Sequence, residues 1–215
     1  MRSAATPIRV DAELYRANPI ESADTTALRA RTAEGVEIVF IASHACNAKR
    51  GPVIRLECAD GEVTVDRGDV PDKDWQLRRK PACAKRPGEG SSELSDRIQV
   101  MSAWGEPFQH VARILQGAQG LPVCTLAMAR PHCLVVNGAH LSSPIHAIPS
   151  TLCSSVTRTE NSGQPQIYRV VKGMNDCLNV CFEKGCLPSG SGVAAWAQPG
   201  KPVDVSQLTF FSMPK

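Results

Sequence analysis

Alternation of apolar and polar residues predicts β-strands through the first 68 residues. The segment 8–15, IRVDAELY, has an apolar side chain at every second position, which is the period of a strand with one buried face. TTALRART (25–32), VIRLEC (53–58) and EVTVD (62–66) repeat the pattern. Asp60-Gly61, between the last two segments, is a two-residue hairpin signal because both residues tolerate positive φ. These segments predict half-buried strands.

One segment departs from the alternation. EIVFIASHAC (37–46) is apolar on both faces, which is typical of a strand covered on both sides. We therefore expect it at the centre of the sheet. The sheet should have an apolar side for helices and a second side of arginines, glutamates and aspartates. That second side is either a solvated face with cross-strand ion pairs or a polar dimer surface, and the residues alone do not choose.

The rest of the chain predicts a long irregular loop followed by helices. Residues 67–97 are rich in charge, proline and glycine and predict a hairpin with a long loop. Helices are predicted at 106–117, at about 125–139 and at 174–184. The second should start or kink at Pro131 and end at Gly138. The third should end at Gly185. The last segment, from 187, is extended. We interpret residues 1–215 as a single domain of the α+β class with a variable loop at 67–97.

Composition excludes several classes of function. The net charge of +3 is too small to indicate a nucleic-acid partner. No apolar run reaches the length of a membrane span, and the N-terminus has no signal-peptide pattern. The nine cysteines are scattered without a CxxC pair. The expectation is a cytoplasmic protein with reduced thiols and no membrane or nucleic-acid partner.

Few residues are candidates for chemistry. In VNGAHLSSPIHAIP (136–149), His140 and His146 suggest either a metal or acid–base pair or a joint between two elements; the joint is the better reading, because no third ligand lies nearby. Cys177, Cys181 and Cys186 resemble a metal cluster, but they share an apolar helical face, so buried thiols are expected and no metal. Four residues at the end of the predicted central strand and just beyond it are candidates to face a polar ligand: His44, Asn47, Lys49 and Arg50. No GxSxG, GxGxxG or GxxxxGK[ST] motif occurs.

Four stretches in order resemble the C-terminal domain of Gfo/Idh/MocA-family oxidoreductases. They are ELYRANPIESADTTALRARTAEGVEIVFIASHA, RGPVIRLECADGEVT, VNGAHLSSPIHAIP and GMNDCLNVCFEKGCLPSGSGVAAWAQPGKPVDV. The resemblance runs from about residue 8 to 210 and is weakest across 67–100. It implies an α+β fold with a large, mostly antiparallel open sheet and helices packed on one face.

The resemblance also implies partners and a cofactor. In that family the exposed sheet face commonly forms a homodimer, which makes the charged residues Arg29, Arg31, Arg55 and Glu57 candidates for a subunit interface. NAD(P) is bound by a preceding Rossmann domain whose motifs have no match here, so we expect no cofactor bound by this chain and carry over no catalytic residue. The implied role is the substrate-binding and dimerisation half of an oxidoreductase for a carbohydrate-like ligand, with the dinucleotide domain supplied separately. The alternative is a non-catalytic remnant that only oligomerises or binds a ligand.

Overall fold

The structure, a computed structural model, describes residues 4–48, 52–66, 75–81, 95–98, 112–117, 125–159 and 163–209. The chain forms two compact units. The first unit comprises Met1–Ala48 and Cys124–Lys215, and the second comprises Lys49–Val123. The prediction of one domain over 1–215 stays a prediction.

The first unit contains a five-stranded sheet built around the strand formed by IRVDAELY. Its strands are β1 (Pro7–Arg16), β2 (Thr25–Thr32), β3 (Glu37–Ser43), β8 (Ile145–Ala147) and β11 (Val203–Asp204). β1 pairs antiparallel with β2 along one edge. Along its other edge it pairs antiparallel with β11 and, further on, parallel with β8. β1 is therefore the central strand.

The prediction that EIVFIASHAC is central is wrong. Among the described strands β3 pairs only with β2 and lies at the edge of the sheet order β11-β1-β2-β3. Ile38 and Phe40 are 45% and 50% exposed. An apolar strand need not be covered on both faces: Ile41 packs against the core cluster of α2, whereas Ile38 and Phe40, on the side of α1, stay about half exposed.

Helix α1 (Leu126–Ser142) packs on one face of the sheet. The Thr125 side chain caps its start by accepting from the Met128 N–H at 3.2 Å. The helix runs on past the predicted exit at Gly138. Gly138 is there for close packing, because a Cβ at this position would lie 2.8 Å from a methyl of Val205 and 2.9 Å from a methyl of Val10.

Helix α2 (Met174–Lys184) packs on the opposite face. Leu14 lies in the core cluster of α1, whereas the next residue, Tyr15, contacts Met174 of α2; consecutive residues of a strand point to opposite faces. The predicted stop is confirmed, since Gly185 has φ 59° and ψ 37°, the left-handed conformation that ends helices. The α+β class with mainly antiparallel strands is confirmed, while the helices cover both faces rather than one.

The remaining strands form two further sheets. In the first unit β9 (Cys153–Thr159) and β10 (Pro165–Val171) form an antiparallel hairpin. The second unit is a four-stranded antiparallel sheet of β4 (Val53–Cys58), β5 (Gly61–Asp66), β6 (Trp75–Pro81) and β7 (Ser95–Ile98). The predicted hairpin between β4 and β5 is present, with its turn at residues 59–60 rather than 60–61. Much of the predicted loop at 67–97 lies outside the described residues.

Two observations complete the fold. Residues 112–115 are helical, and the other residues of the helix predicted at 106–117 lie outside the described chain, apart from a turn at 116–117. Within the described ranges, no helix combines the length and the apolar character needed to cross a membrane.

Candidate functional site

A cleft of about 300 Å³ lies between the β9–β10 hairpin and the start of α2. Its polar lining consists of two amides, a hydroxyl, an ammonium and a carboxylate, and its apolar lining of three valines and a methionine. The residues are Asn47, Ser154, Lys172, Asn175 and Asp176, with Val156, Val170, Val171 and Met174.

The hairpin register forms one wall of the cleft. Ser154 is the cross-strand partner of Val170, so their side chains lie side by side on one face of the hairpin. Val156 lies two residues along on the same face. Gly173, with φ 75°, then turns the chain sharply into α2, and this turn brings the first residues of the helix to the cleft.

The loop after β3 closes the cleft on another side. The Val171 N–H donates to the Ala45 carbonyl at 2.9 Å. The Arg158 guanidinium donates to the carbonyls of Cys46 at 2.7 Å and Asn47 at 3.2 Å. That guanidinium lies 5.7 Å from the ring centroid of Tyr168, a cation–π contact that restricts its position. Asn47 is therefore held at the cleft by hydrogen bonds to its own backbone and that of its neighbours.

Of the two predicted ligand residues that the structure describes, Asn47 lines the cleft and His44 does not. His44 is exposed, and its N–H donates to the Asp24 carbonyl at 2.7 Å. Lys49 and Arg50 lie outside the described residues. Sequence reasoning missed Lys172, Asn175 and Asp176, although Asn-Asp in the first turn of a predicted helix was a usable signal for polar groups at its start.

The two histidines of 136–149 lie at a joint. His140 is in the last turn of α1, and His146 is in β8 with its ring centroid 6.0 Å from that of Tyr15. The predicted joint between a helix and a strand is confirmed. No group of three metal-ligating side chains occurs in the described part of the chain.

The predicted dimer-face residues make contacts of their own. Arg29 donates to the Gly185 carbonyl at 2.9 Å and lies 3.4 Å from a Glu37 carboxylate oxygen. Arg31 donates to the other carboxylate oxygen of Glu37 at 3.1 Å. In the second unit, Arg55 and Glu57 form an ion pair at 3.3 Å. Their part in a subunit interface stays a prediction.

A buried carboxylate lies at the centre of the first unit. Glu13 is 1% exposed. It accepts from the Tyr15 hydroxyl at 2.6 Å, from the Ser189 N–H at 3.0 Å, and from the Ser189 hydroxyl. The Tyr15 oxygen in turn accepts from the Gln198 N–H at 2.9 Å. Burial, and then the hydrogen bond to Glu13, raise the pKa of Tyr15 well above its ordinary range. These bonds fasten the segment after α2 to the sheet.

The residues that the structure describes do not fit a dinucleotide cofactor. One glycine-rich stretch, GSGVAA (190–195), matches the relaxed form of the nucleotide-binding fingerprint. That fingerprint requires a strand before it and a helix after it. Here the stretch follows a single 3₁₀ turn (Pro188–Gly190) and leads into bends and a turn. It supplies no helix N-terminus for a pyrophosphate.

Comparison with known proteins yields a distant likeness. No family model matches the chain, and no curated protein matches it. Among solved structures, an aldose-aldose oxidoreductase from Caulobacter crescentus, complexed with glycerol, is 15% identical, and the match covers 63% of this chain and 39% of that chain with a TM-score of 0.39. The match spans less than half of that protein's length. At this TM-score the likeness carries no argument, so the family resemblance of the sequence stays a prediction.

Proposed function

We propose that this chain is the substrate-binding and dimerisation half of a cytoplasmic NAD(P)-dependent oxidoreductase that acts on a sugar- or polyol-like substrate. The ordered resemblance of its sequence motifs supports the family. The cleft beside the β9–β10 hairpin carries the ligand-binding part of the proposal.

The chemistry of the cleft suits a neutral polyhydroxyl compound. Each hydroxyl of such a ligand both donates and accepts, as do the amides of Asn47 and Asn175 and the hydroxyl of Ser154. Lys172 adds a donor with positive charge and Asp176 an acceptor with negative charge. The two charges of this lining balance, which favours a neutral ligand over a phosphate or carboxylate. The valines and Met174 provide apolar surface for the C–H faces of a sugar ring.

The size of the cleft fits the same class. A volume of 300 Å³ corresponds to that of roughly ten water molecules at about 30 Å³ each. It lies at the lower end of the range of about 300–1,000 Å³ found for small-molecule sites. A monosaccharide or a short polyol fits this space better than a dinucleotide.

A dinucleotide belongs to a separate domain or chain in this proposal, because the described residues do not fit one. This chain would bind and orient the substrate, and the hydride transfer would need the other half.

Ligand titration of the full chain tests the proposal. We expect a monosaccharide, myo-inositol or glycerol to bind, measured by calorimetry and by NMR shifts of the cleft residues. Asn175→Ala should weaken binding by roughly two- to tenfold, since a hydrogen bond contributes roughly 0.5–1.5 kcal/mol. Asn179→Ala, the same change one turn further along α2, should leave affinity unchanged. Absence of binding by every polyol, or equal affinity in both variants, would contradict the ligand-binding role.

A parallel titration with NAD and NADP tests whether the dinucleotide is bound by a separate domain or chain. We expect neither dinucleotide to bind the isolated chain. Tight binding would mean that the cofactor site is in this chain after all. A chain that associates but binds neither polyol nor dinucleotide would favour the non-catalytic alternative.

A further inference from the structure

Three thiols lie together on one face of α2 and in the turn that follows it. The sulfur atoms of Cys177 and Cys181 are 4.0 Å apart, and these two residues are 1% and 0% exposed. Cys186, two residues beyond the helix, packs against the same core cluster. All three are free thiols in the structure.

The way the helix ends brings Cys186 back onto Cys181. Gly185 adopts the left-handed conformation, and the Cys186 N–H donates to the Cys181 carbonyl at 3.1 Å. A bond from the second residue after a helix back to the residue five positions earlier is typical of a Schellman cap. In that motif the side chains of these two residues, here Cys186 and Cys181, ordinarily contact each other. Standard bond lengths then hold the two Cα atoms within about 7 Å. That is the outer limit at which a disulfide can form with little backbone movement.

The three thiols differ in their access to solvent. Cys186 is partly exposed, whereas Cys177 and Cys181 are buried. Burial raises the pKa of the Cys177 thiol and that of the Cys181 thiol, so both stay protonated and are poor first nucleophiles. An oxidant from solution reaches Cys186 first.

We propose that Cys186 and Cys181 form a disulfide in response to hydroperoxides. The Cys186 thiolate attacks one oxygen of hydrogen peroxide; the O–O bond breaks, hydroxide leaves and takes up a proton to become water, and Cys186 becomes a sulfenic acid. The Cys181 sulfur then attacks the Cys186 sulfur, loses its proton, and displaces the hydroxyl group as a second water. Two thiols have lost two electrons, and one peroxide has been reduced to two waters.

The bridge would covalently attach the segment after α2 to the helix. That segment carries Ser189, whose N–H and hydroxyl hold the buried carboxylate of Glu13. Arg29 of β2 holds the carbonyl of Gly185, between the two cysteines. The segment after α2 is held to the sheet by these hydrogen bonds, and oxidation would add a covalent bond between the segment and the helix.

Peptide mapping of the full chain distinguishes the pairings. After peroxide treatment and alkylation of the remaining thiols, trypsin cleaves at Lys184, between Cys181 and Cys186. We expect peptide 173–184 joined to the peptide that begins at Gly185, with a loss of about 2 Da for the two hydrogens removed. Fragmentation should place the bond on Cys181, and dithiothreitol should separate the peptides.

Two variants complete the test. Cys186→Ser should abolish the linked peptides, and Cys133→Ser, which removes an exposed thiol on α1, should leave their yield unchanged. A bond within peptide 173–184, a link that includes Cys177 instead of Cys181, or stable sulfenic acid at Cys186 without a bridge would each overturn the proposal. The result is independent of polyol binding, so its failure leaves the proposed function untouched.

Discussion

Replacing Gly138 by alanine tests the contact that seats α1 on the sheet. A Cβ at Gly138 would lie 2.8 Å from Val205 Cγ1 and 2.9 Å from Val10 Cγ2. Non-bonded carbon atoms pack at about 3.5–4.0 Å. The helix and the strand would therefore have to separate by more than half an ångström.

Two effects of opposite sign determine the change in stability. Alanine is the better helix former by about 1 kcal/mol, whereas overpacking a core costs about 1–3 kcal/mol. Val10 and Val205 are both 0% exposed, and β1 is hydrogen-bonded along both edges, so neither side can withdraw easily. The upper part of the overpacking range applies. We expect a net loss of about 1–2 kcal/mol and a Tm lower by roughly 3–6 °C.

Urea and thermal unfolding followed by circular dichroism measure this loss. The matched control is Gly190→Ala, where the nearest atom to the new Cβ is Cys186 Cβ at 3.7 Å; its effect should stay within about 0.5 kcal/mol. Adding Val10→Ala to Gly138→Ala should recover part of the loss as a coupling energy of about 0.5 kcal/mol or more. If Gly138→Ala instead stabilises the protein, helix propensity dominates and the close packing is refuted.

Three further predictions follow from the buried network and the charged face. Tyr15→Phe leaves the Glu13 carboxylate with fewer donors and should lower the free energy of unfolding by about 1–3 kcal/mol; Tyr168→Phe, whose hydroxyl bonds the exposed Gln166, should cost less than about 0.5 kcal/mol in the same urea titration. Because the pKa of Tyr15 is raised above its ordinary value of 10.0, its contribution to stability is complete below about pH 10 and is lost as the pH rises beyond it. In the Tyr168→Phe variant, phenolate absorbance should therefore appear together with unfolding, and ionisation near pH 10 in a folded chain would contradict the burial argument. Arg31→Glu should weaken the proposed homodimer in sedimentation velocity while Arg29→Ala, which removes the bond to Gly185, should mainly lower the stability of the subunit; the reverse pattern would move the interface elsewhere.

The sequence pattern predicted those elements that are determined by residues close together in the sequence. The two-residue period found β1, β2, β4 and β5, because a strand with one buried face shows that period in its own residues. The end of α2 at Gly185 was found for the same kind of reason, since the left-handed cap needs a glycine at that one position. Gly138 was also predicted to end a helix, but the helix continues through it. It serves a contact with Val10 and Val205, which no local pattern shows.

The cleft was predicted only where one of its residues follows a recognisable strand. Asn47 was found because it comes just after β3. Lys172, Asn175 and Asp176 come from the junction of β10 and α2, about 125 positions later in the chain. Their proximity to Asn47 depends on the Arg158 and Ala45 hydrogen bonds, which are long-range contacts without a sequence signature.

The charged face of β1 shows why polarity along a strand does not identify a surface. Arg9, Asp11 and Glu13 are at alternate positions and point to the same side of the sheet. Their exposure nevertheless falls along the strand: the side chains of Arg9 and Asp11 are 54% and 26% exposed, and the whole residue Glu13 is 1% exposed. The change follows the cover provided by α2 and the segment after it, which reaches Glu13 through Ser189 but leaves Arg9 open. A carboxylate is tolerated at the covered end because three hydrogen-bond donors replace water there. Any subunit interface on this face would therefore use the open end, where Arg9 and Arg31 lie opposite each other on neighbouring strands. The covered end belongs to the subunit's own core.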